Sequence, residues 1–128
     1  MLALCCVGAG AGGFALYQVL DDATEPVREE TRAYLTDLQA GDYASAYGRL
    51  CAADQALYTQ TAFELGVRAR GLDRLLNYRL QGVSVERVNN VRTGSVTAEL
   101  TLRDGTTYSH IFELRNEDGS WKICGTPF

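Results

Sequence analysis

The spacing of apolar residues changes near residue 75, and this change limits the folds that the chain can adopt. Before it, apolar side chains recur at helical intervals, as at Val27, Tyr34 and Leu38. After it, apolar and polar residues alternate. The first spacing places side chains on one stripe of a helix, and the second places them on one face of a strand. The chain is therefore expected to form helices first and a sheet afterwards.

Three helices are predicted, over residues 25–39, 43–50 and 61–70. Gly41 can end the first helix with a left-handed backbone, and Asp42 can cap the second. Thr61 and Glu64 have the spacing of a capping box, which predicts that the third helix begins there. Gly71 is its expected stop.

Four strands are predicted, over residues 78–88, 95–102, 107–114 and 120–123. The pairs Asp104-Gly105 and Asp118-Gly119 separate the last three, and Asp-Gly is typical of tight hairpin turns. Apolar side chains share one face of the strands, and that face must be covered. The expected architecture is α+β, with the three helices packed on one side of an antiparallel four-stranded sheet.

The first twenty residues carry no charged side chain, and a helix of about twenty apolar residues spans the core of a bilayer. We interpret residues 1–20 as a transmembrane anchor, with a signal peptide as the alternative, although the Lys/Arg region that opens a signal peptide is missing. Charged residues begin at Asp21, and no basic cluster follows the span. The prediction is a single-pass protein of the cell membrane with residues 21–128 as one domain outside the cytoplasm.

Charge excludes one class of partner. The formal net charge is −4, whereas binding to nucleic acid needs a basic face. Nucleic acid is therefore not an expected partner. The candidates are the membrane through residues 1–20, a small apolar ligand, and a second copy of the chain or a membrane protein.

Four cysteines raise the question of thiol chemistry. Cys5 and Cys6 lie in the predicted anchor, which leaves Cys51 and Cys124 in the domain. Outside the cytoplasm two cysteines suggest one disulfide. Two unpaired thiols, or a cysteine nucleophile with His110 as its base, are the alternatives. Neither a metal site nor a cofactor is predicted, because His110 is the only histidine and there is no Cys-x-x-Cys pair.

Two motifs carry a resemblance to a known family. The stretch "AYLTDLQAGDYASAYGRLC" at residues 33–51 and the late "DGSWKICG" at 118–125 resemble the nuclear transport factor 2-like superfamily of cone-shaped α+β domains, closest to an actinobacterial branch of membrane-anchored or lipoprotein domains, often called lumazine-binding-like. The resemblance implies a curved sheet that closes on the first helix and a pocket inside the cone. It also implies a disulfide between Cys51 and Cys124.

Candidate pocket residues are aromatic or titratable: Tyr34, Tyr58, Tyr108, His110, Phe112 and Trp121. Tyr34 corresponds to the oxyanion tyrosine of ketosteroid isomerase in this superfamily. The position of the isomerase's carboxylate base falls at Tyr58, which cannot act as one, and Asp54 nearby is more simply explained as a helix cap. His110 has no assigned acidic partner.

We therefore expect a non-catalytic binding or accessory domain, tethered to the membrane, whose cone can hold a small apolar ligand. A pocket enzyme of the isomerase or dehydratase type that uses Tyr34 and His110 is one alternative. A protein-assembly module that acts through the outer sheet face, including Ile111, is another.

Overall fold

A computed structural model describes residues 24–128. The helices are α1 over residues 24–40, α2 over Tyr43–Gly48, α3 over Ala52–Leu57 and α4 over Gln60–Ala69, followed by a 3₁₀ turn at Leu72–Arg74. The strands are β1 over Leu75–Val88, β2 over Val91–Leu102, β3 over Thr107–Glu117 and β4 over Ser120–Ile123. The α+β prediction is confirmed. The predicted anchor, residues 1–20, lies outside the described residues, and within 24–128 no helix is long and apolar enough to cross a membrane.

The described residues form four α-helices, so the prediction of three was wrong. The missed helix is α3, a six-residue element whose N-cap, Cys51, makes no side-chain capping bond. Because α3 has no side-chain cap and is only six residues long, neither a capping residue nor a long helical pattern marks it in the sequence. Asp54 lies inside this helix and not at its cap.

Three of the predicted helix boundaries are confirmed and one is wrong. Gly71 follows the end of α4 with a φ of 77°, as predicted. Gly41 has a φ of 73°, and the Asp42 carboxylate accepts a hydrogen bond from the Ser45 amide at the start of α2. The predicted capping box at Thr61 is wrong, because α4 is capped two residues earlier by Thr59, whose hydroxyl accepts from the Ala62 amide. Both threonines precede an apolar run, and only the packing of the whole chain selects between them.

The sheet is antiparallel with the strand order β1-β2-β3-β4. Asp118 and Gly119 both have positive φ and form the turn between β3 and β4, as predicted. The turn between β1 and β2 falls at Asn89 and Asn90, with φ of 52° and 64°. Because of this turn, β2 begins at Val91, four residues before its predicted start.

The core lies between the inner face of the sheet and the helices. Alternate residues of β2 are buried, including Val96, Ala98 and Leu100, and pack with side chains of α1 and α4. This burial follows the predicted alternation, because one face of each strand meets the helices. Burial of the apolar surface between them holds the helices on the sheet.

Residues before α3 extend the sheet at β4. Leu50 pairs with Ile123 in a parallel bridge, and the Cys51 amide donates to the Ile123 carbonyl at 2.8 Å. This bridge fixes the N-terminus of α3 beside the end of β4. It therefore sets Cys51 next to Cys124.

Candidate functional site

A disulfide joins Cys51 and Cys124, whose Cα atoms are 5.2 Å apart. The bond links positions 73 residues apart in the chain and ties the start of α3 to the residue after β4. Their sulfurs and a carboxylate oxygen of Asp54 lie within 4.8 Å of one another. While the disulfide is formed, neither sulfur can act as a thiolate nucleophile or metal ligand. The disulfide prediction is confirmed.

Residues 125–128, called the closing segment, follow Cys124 and turn into the cone, which is the space between the helices and the inner face of the sheet. Pro127 is buried, and Phe128 is partly buried against the core. The segment starts beside β3, where the Thr126 hydroxyl donates to the Ile111 carbonyl and accepts from the Glu113 amide. It then passes under α1 and ends against α4.

Three polar side chains from three different elements bind successive residues of the closing segment. Asp54 of α3 accepts a hydrogen bond from the Gly125 amide at 2.9 Å. His110 of β3 places Nε2 3.0 Å from the Thr126 carbonyl oxygen, so Nε2 carries the proton and donates. Tyr34 of α1 donates its hydroxyl to the Pro127 carbonyl. All three bonds go to backbone groups.

An aromatic slot receives Phe128. Its ring centroid lies 5.6 Å from that of Tyr58 and 6.1 Å from that of Phe63. Gly66 forms the wall of the slot, because a Cβ at this position would lie 2.1 Å from Cζ of Phe128. A glycine inside a helix is unfavourable by about 1 kcal/mol relative to alanine, so its presence in α4 indicates a packing requirement.

The predicted pocket residues do not all meet at one place. Tyr34 and Phe112 are fully buried and pack edge to face, with ring centroids 5.8 Å apart. His110 packs on Phe112 with ring centroids 4.5 Å apart. Tyr58 packs on the ring of Phe128. Tyr34, His110 and Tyr58 contact the closing segment, and Phe112 packs on the first two.

The other two predicted pocket residues lie elsewhere. Tyr108 is partly buried and donates its hydroxyl to the Arg70 carbonyl at the end of α4. Trp121 lies with the Arg92 guanidinium 5.9 Å above its ring and lines a groove between α1 and β4. Sequence reasoning missed Phe63, Gly66 and the closing segment, although a glycine inside α4 was an available signal.

The surroundings of Tyr34 make its phenol a weaker acid. Burial raises the pKa of the Tyr34 phenol well above its ordinary value, and the charge of Asp54 raises it further. A phenol with a raised pKa holds its proton and acts as a hydrogen-bond donor, not as a base. Within residues 24–128, no carboxylate is hydrogen-bonded to Tyr34 or His110.

The part of the chain that the structure describes also forms open grooves outside the cone, among them the following two. The first, of about 650 Å³, follows the outer face of the sheet near the β1–β2 turn and includes Glu86 and Arg115. The second, of about 730 Å³, lies between α1 and the β3–β4 turn. Arg49 lines the second groove and donates to Asp37 at 2.7 Å. Both grooves expose charged groups.

Among residues 24–128, the outer sheet face shows no broad apolar patch around Ile111. Ile111 is 54% exposed, and its cross-strand partner on β2 is Thr97. Its neighbours on the same face of β3 are Ser109 and Glu113. An apolar residue that stands alone among polar ones is ordinary for a protein surface.

Comparisons with known proteins give a fold but no close relative. No family model matches the chain, and no curated protein matches it. Among solved structures, a Campylobacter jejuni protein named as an NTF2-like transpeptidase aligns with a TM-score of 0.55 and 10% sequence identity, over 77% of this chain and 97% of that one.

Two further solved structures align less well. Aln2 from a Streptomyces species has a TM-score of 0.49 and 14% identity, over 76% of this chain and 82% of its own. TerC, co-crystallised with polyporic acid, has a TM-score of 0.39 and 16% identity, over 75% and 85%. The actinobacterial branch stays a prediction. The helices packed on a four-stranded antiparallel sheet, together with the likeness to the Campylobacter jejuni structure, show that the chain has the nuclear transport factor 2-like fold.

Proposed function

We propose that this protein is a non-catalytic binding or accessory domain, held by residues 1–20 on the outer side of the cell membrane. The observation that carries the proposal is the engagement of Tyr34 and His110, the two candidate proton-transfer groups, by backbone carbonyls of the closing segment. A proton-transfer site needs a base within hydrogen-bond reach of its substrate. Here Tyr34 and His110 are instead bonded to backbone carbonyls of the protein itself.

The disulfide supports the location. Cys51 is fully buried and bonded to Cys124, and such bonds persist in oxidising compartments but are rare in the cytosol. The uncharged composition of residues 1–20 supports the anchor. Together they favour a tethered domain that works outside the cytoplasm.

The enzyme alternative requires the closing segment to leave. Tyr34, His110 and Asp54 would then line an open cone, which is the observation in its favour. A small apolar ligand in the cone would likewise have to displace Phe128. The isolated exposure of Ile111 gives less support to assembly through the outer sheet face.

Two measurements on the full chain test the proposal. Membrane fractionation with external protease should find the domain membrane-bound and accessible from outside, and deletion of residues 1–20 should release it. A β,γ-unsaturated ketosteroid should isomerise no faster with the protein than with the matched variant Tyr34→Phe. A rate that falls with Tyr34→Phe would show an isomerase, and a deletion variant that stays on the membrane would remove the anchor from the proposal.

A further inference from the structure

We infer that the cone and the adjoining edge of β3 form a binding site for an extended peptide of another polypeptide, a site that the closing segment occupies in its absence. The inference rests on the proposed function as a binding domain and names its ligand class. The closing segment shows that a four-residue stretch of peptide fits this site.

The polar contacts recognise a peptide backbone. Asp54 accepts from one amide, and His110 and Tyr34 donate to the next two carbonyls along the chain. A peptide that follows the path of residues 125–127 presents such groups in this order. Because these three side chains are buried or partly buried, a small apolar ligand without matching polar atoms would leave them unsatisfied, at a cost in affinity.

The edge of β3 offers further backbone pairing. β4 pairs only with Leu114–Glu117, and the Cys124 amide donates to the Glu113 carbonyl, so no described strand pairs with the outer edge of β3 over residues 107–112. There the Thr126 hydroxyl bonds to both the Ile111 carbonyl and the Glu113 amide, in the place that a neighbouring strand would take. Extended peptides commonly bind by adding a strand to such an edge.

The side-chain positions define the sequence that fits. The first position favours glycine, because φ at Gly125 is 107° and a Cβ would lie 2.9 Å from a carboxylate oxygen of Glu113. The second carries a hydroxyl, as Thr126 does. The fourth places an aromatic ring against Gly66, Tyr58 and Phe63. The third, Pro127, is buried. The ligand class is therefore a Gly-Thr-Pro-aromatic or Gly-Ser-Pro-aromatic segment.

The test is a titration of the full chain in detergent with a fluorescent, end-blocked Gly-Thr-Pro-Phe peptide, followed by anisotropy. Phe128→Ala empties the aromatic slot, so this variant should bind the peptide about tenfold more tightly than wild type, in which the closing segment competes. A Gly-Thr-Pro-Ala peptide should bind this variant about tenfold more weakly than the Phe peptide. Adding Gly66→Ala, which fills the slot, should abolish the preference, and adding Gly48→Ala should not.

A folded Phe128→Ala variant that binds the two peptides equally would overturn the inference. If this variant does not fold, wild type is used, and hydrogen exchange of the Gly125 amide is measured with each peptide. Exchange should rise with the Phe peptide only, and an equal response to both peptides, or to neither, would overturn the inference. These outcomes are separate from those of the membrane and isomerase measurements, which involve no peptide.

Discussion

The Tyr34 hydroxyl donates a hydrogen bond to the carbonyl of Pro127, 93 positions further along the chain. This contact joins the middle of α1 to the closing segment across the inside of the cone. Tyr34 is fully buried and also packs on Phe112 of β3. One side chain thus connects α1, β3 and the closing segment, and its protonation should be coupled to the stability of the fold.

Alkaline pH should destabilise the protein through Tyr34. Its pKa is raised in the folded state by burial and by Asp54, whereas in the unfolded chain it lies near 10. The stabilisation is therefore complete below about pH 10 and is lost as the pH rises toward the folded pKa, by about 1.4 kcal/mol per pH unit. Urea unfolding between pH 8 and pH 11 measures this loss.

Tyr34→Phe should remove most of that pH dependence. At neutral pH it should cost about 1 kcal/mol, because the Pro127 carbonyl loses its donor. The matched control is Tyr108→Phe, since Tyr108 is only partly buried and should leave most of the slope in place. An unchanged slope in Tyr34→Phe would contradict the coupling.

Loss of the disulfide should lower the free energy of unfolding by about 2–4 kcal/mol, because the bond restricts a long loop of the unfolded chain. The change is Cys51→Ala with Cys124→Ala, and urea unfolding with and without reductant is the measurement. The double variant should be insensitive to reductant. Equal unfolding midpoints for oxidised and reduced wild type would contradict this expectation, as would labelling of both thiols before reduction.

Gly66→Ala should expel the Phe128 ring from its slot. A Cβ at position 66 would lie 2.1 Å from the ring, and crowding of this kind typically costs about 1–3 kcal/mol. Gly48→Ala is the matched control, since Gly48 is also helical and has open space around it, so it should gain up to about 1 kcal/mol from helix propensity. Hydrogen exchange at the Gly125 amide should rise in Gly66→Ala alone. A stabilised Gly66→Ala variant with an unchanged Gly125 amide would show that the ring is not seated there.

The β1–β2 turn should accept glycine but not a branched residue at Asn90. Asn89 and Asn90 both have positive φ, and turns of this kind favour Asn followed by Gly. Asn90→Gly should therefore leave stability unchanged or raise it by a few tenths of a kcal/mol, whereas Asn90→Val should cost about 1–2 kcal/mol. Thermal unfolding distinguishes the two, and a tolerated valine would argue against this turn geometry.

Local signals were sufficient for most of the fold. Gly41 and Asp42 act within three residues of their own positions, so their roles could be predicted from the sequence. The alternation in β2 and β3 likewise reflects one buried face. The predicted start of α4 at Thr61 was wrong, because the local capping-box spacing of Thr61 and Glu64 favours that position, whereas the packed structure places the cap at Thr59.

The site was harder to predict, because it depends on contacts between distant parts of the chain. Tyr34, His110 and Phe112 were identified by their faces on α1 and β3, and the structure brings them together. Nothing in the sequence of residues 125–128 indicates that they enter the cone, since the path follows from where Cys124 is fixed. Asp54 was interpreted as a helix cap because α3 itself was not predicted.

The position of the disulfide, directly before Gly125, has a kinetic consequence. Four residues span at most about 14 Å, so Phe128 stays within that distance of Cys124 even when its ring leaves the slot. Contacts over such short loops re-form in about 10–100 ns. A molecule arriving from solution can therefore enter only while the ring is out of its slot, and each such opening should be brief. The rate of its capture should depend on how long each opening lasts, and less on how often the two molecules collide.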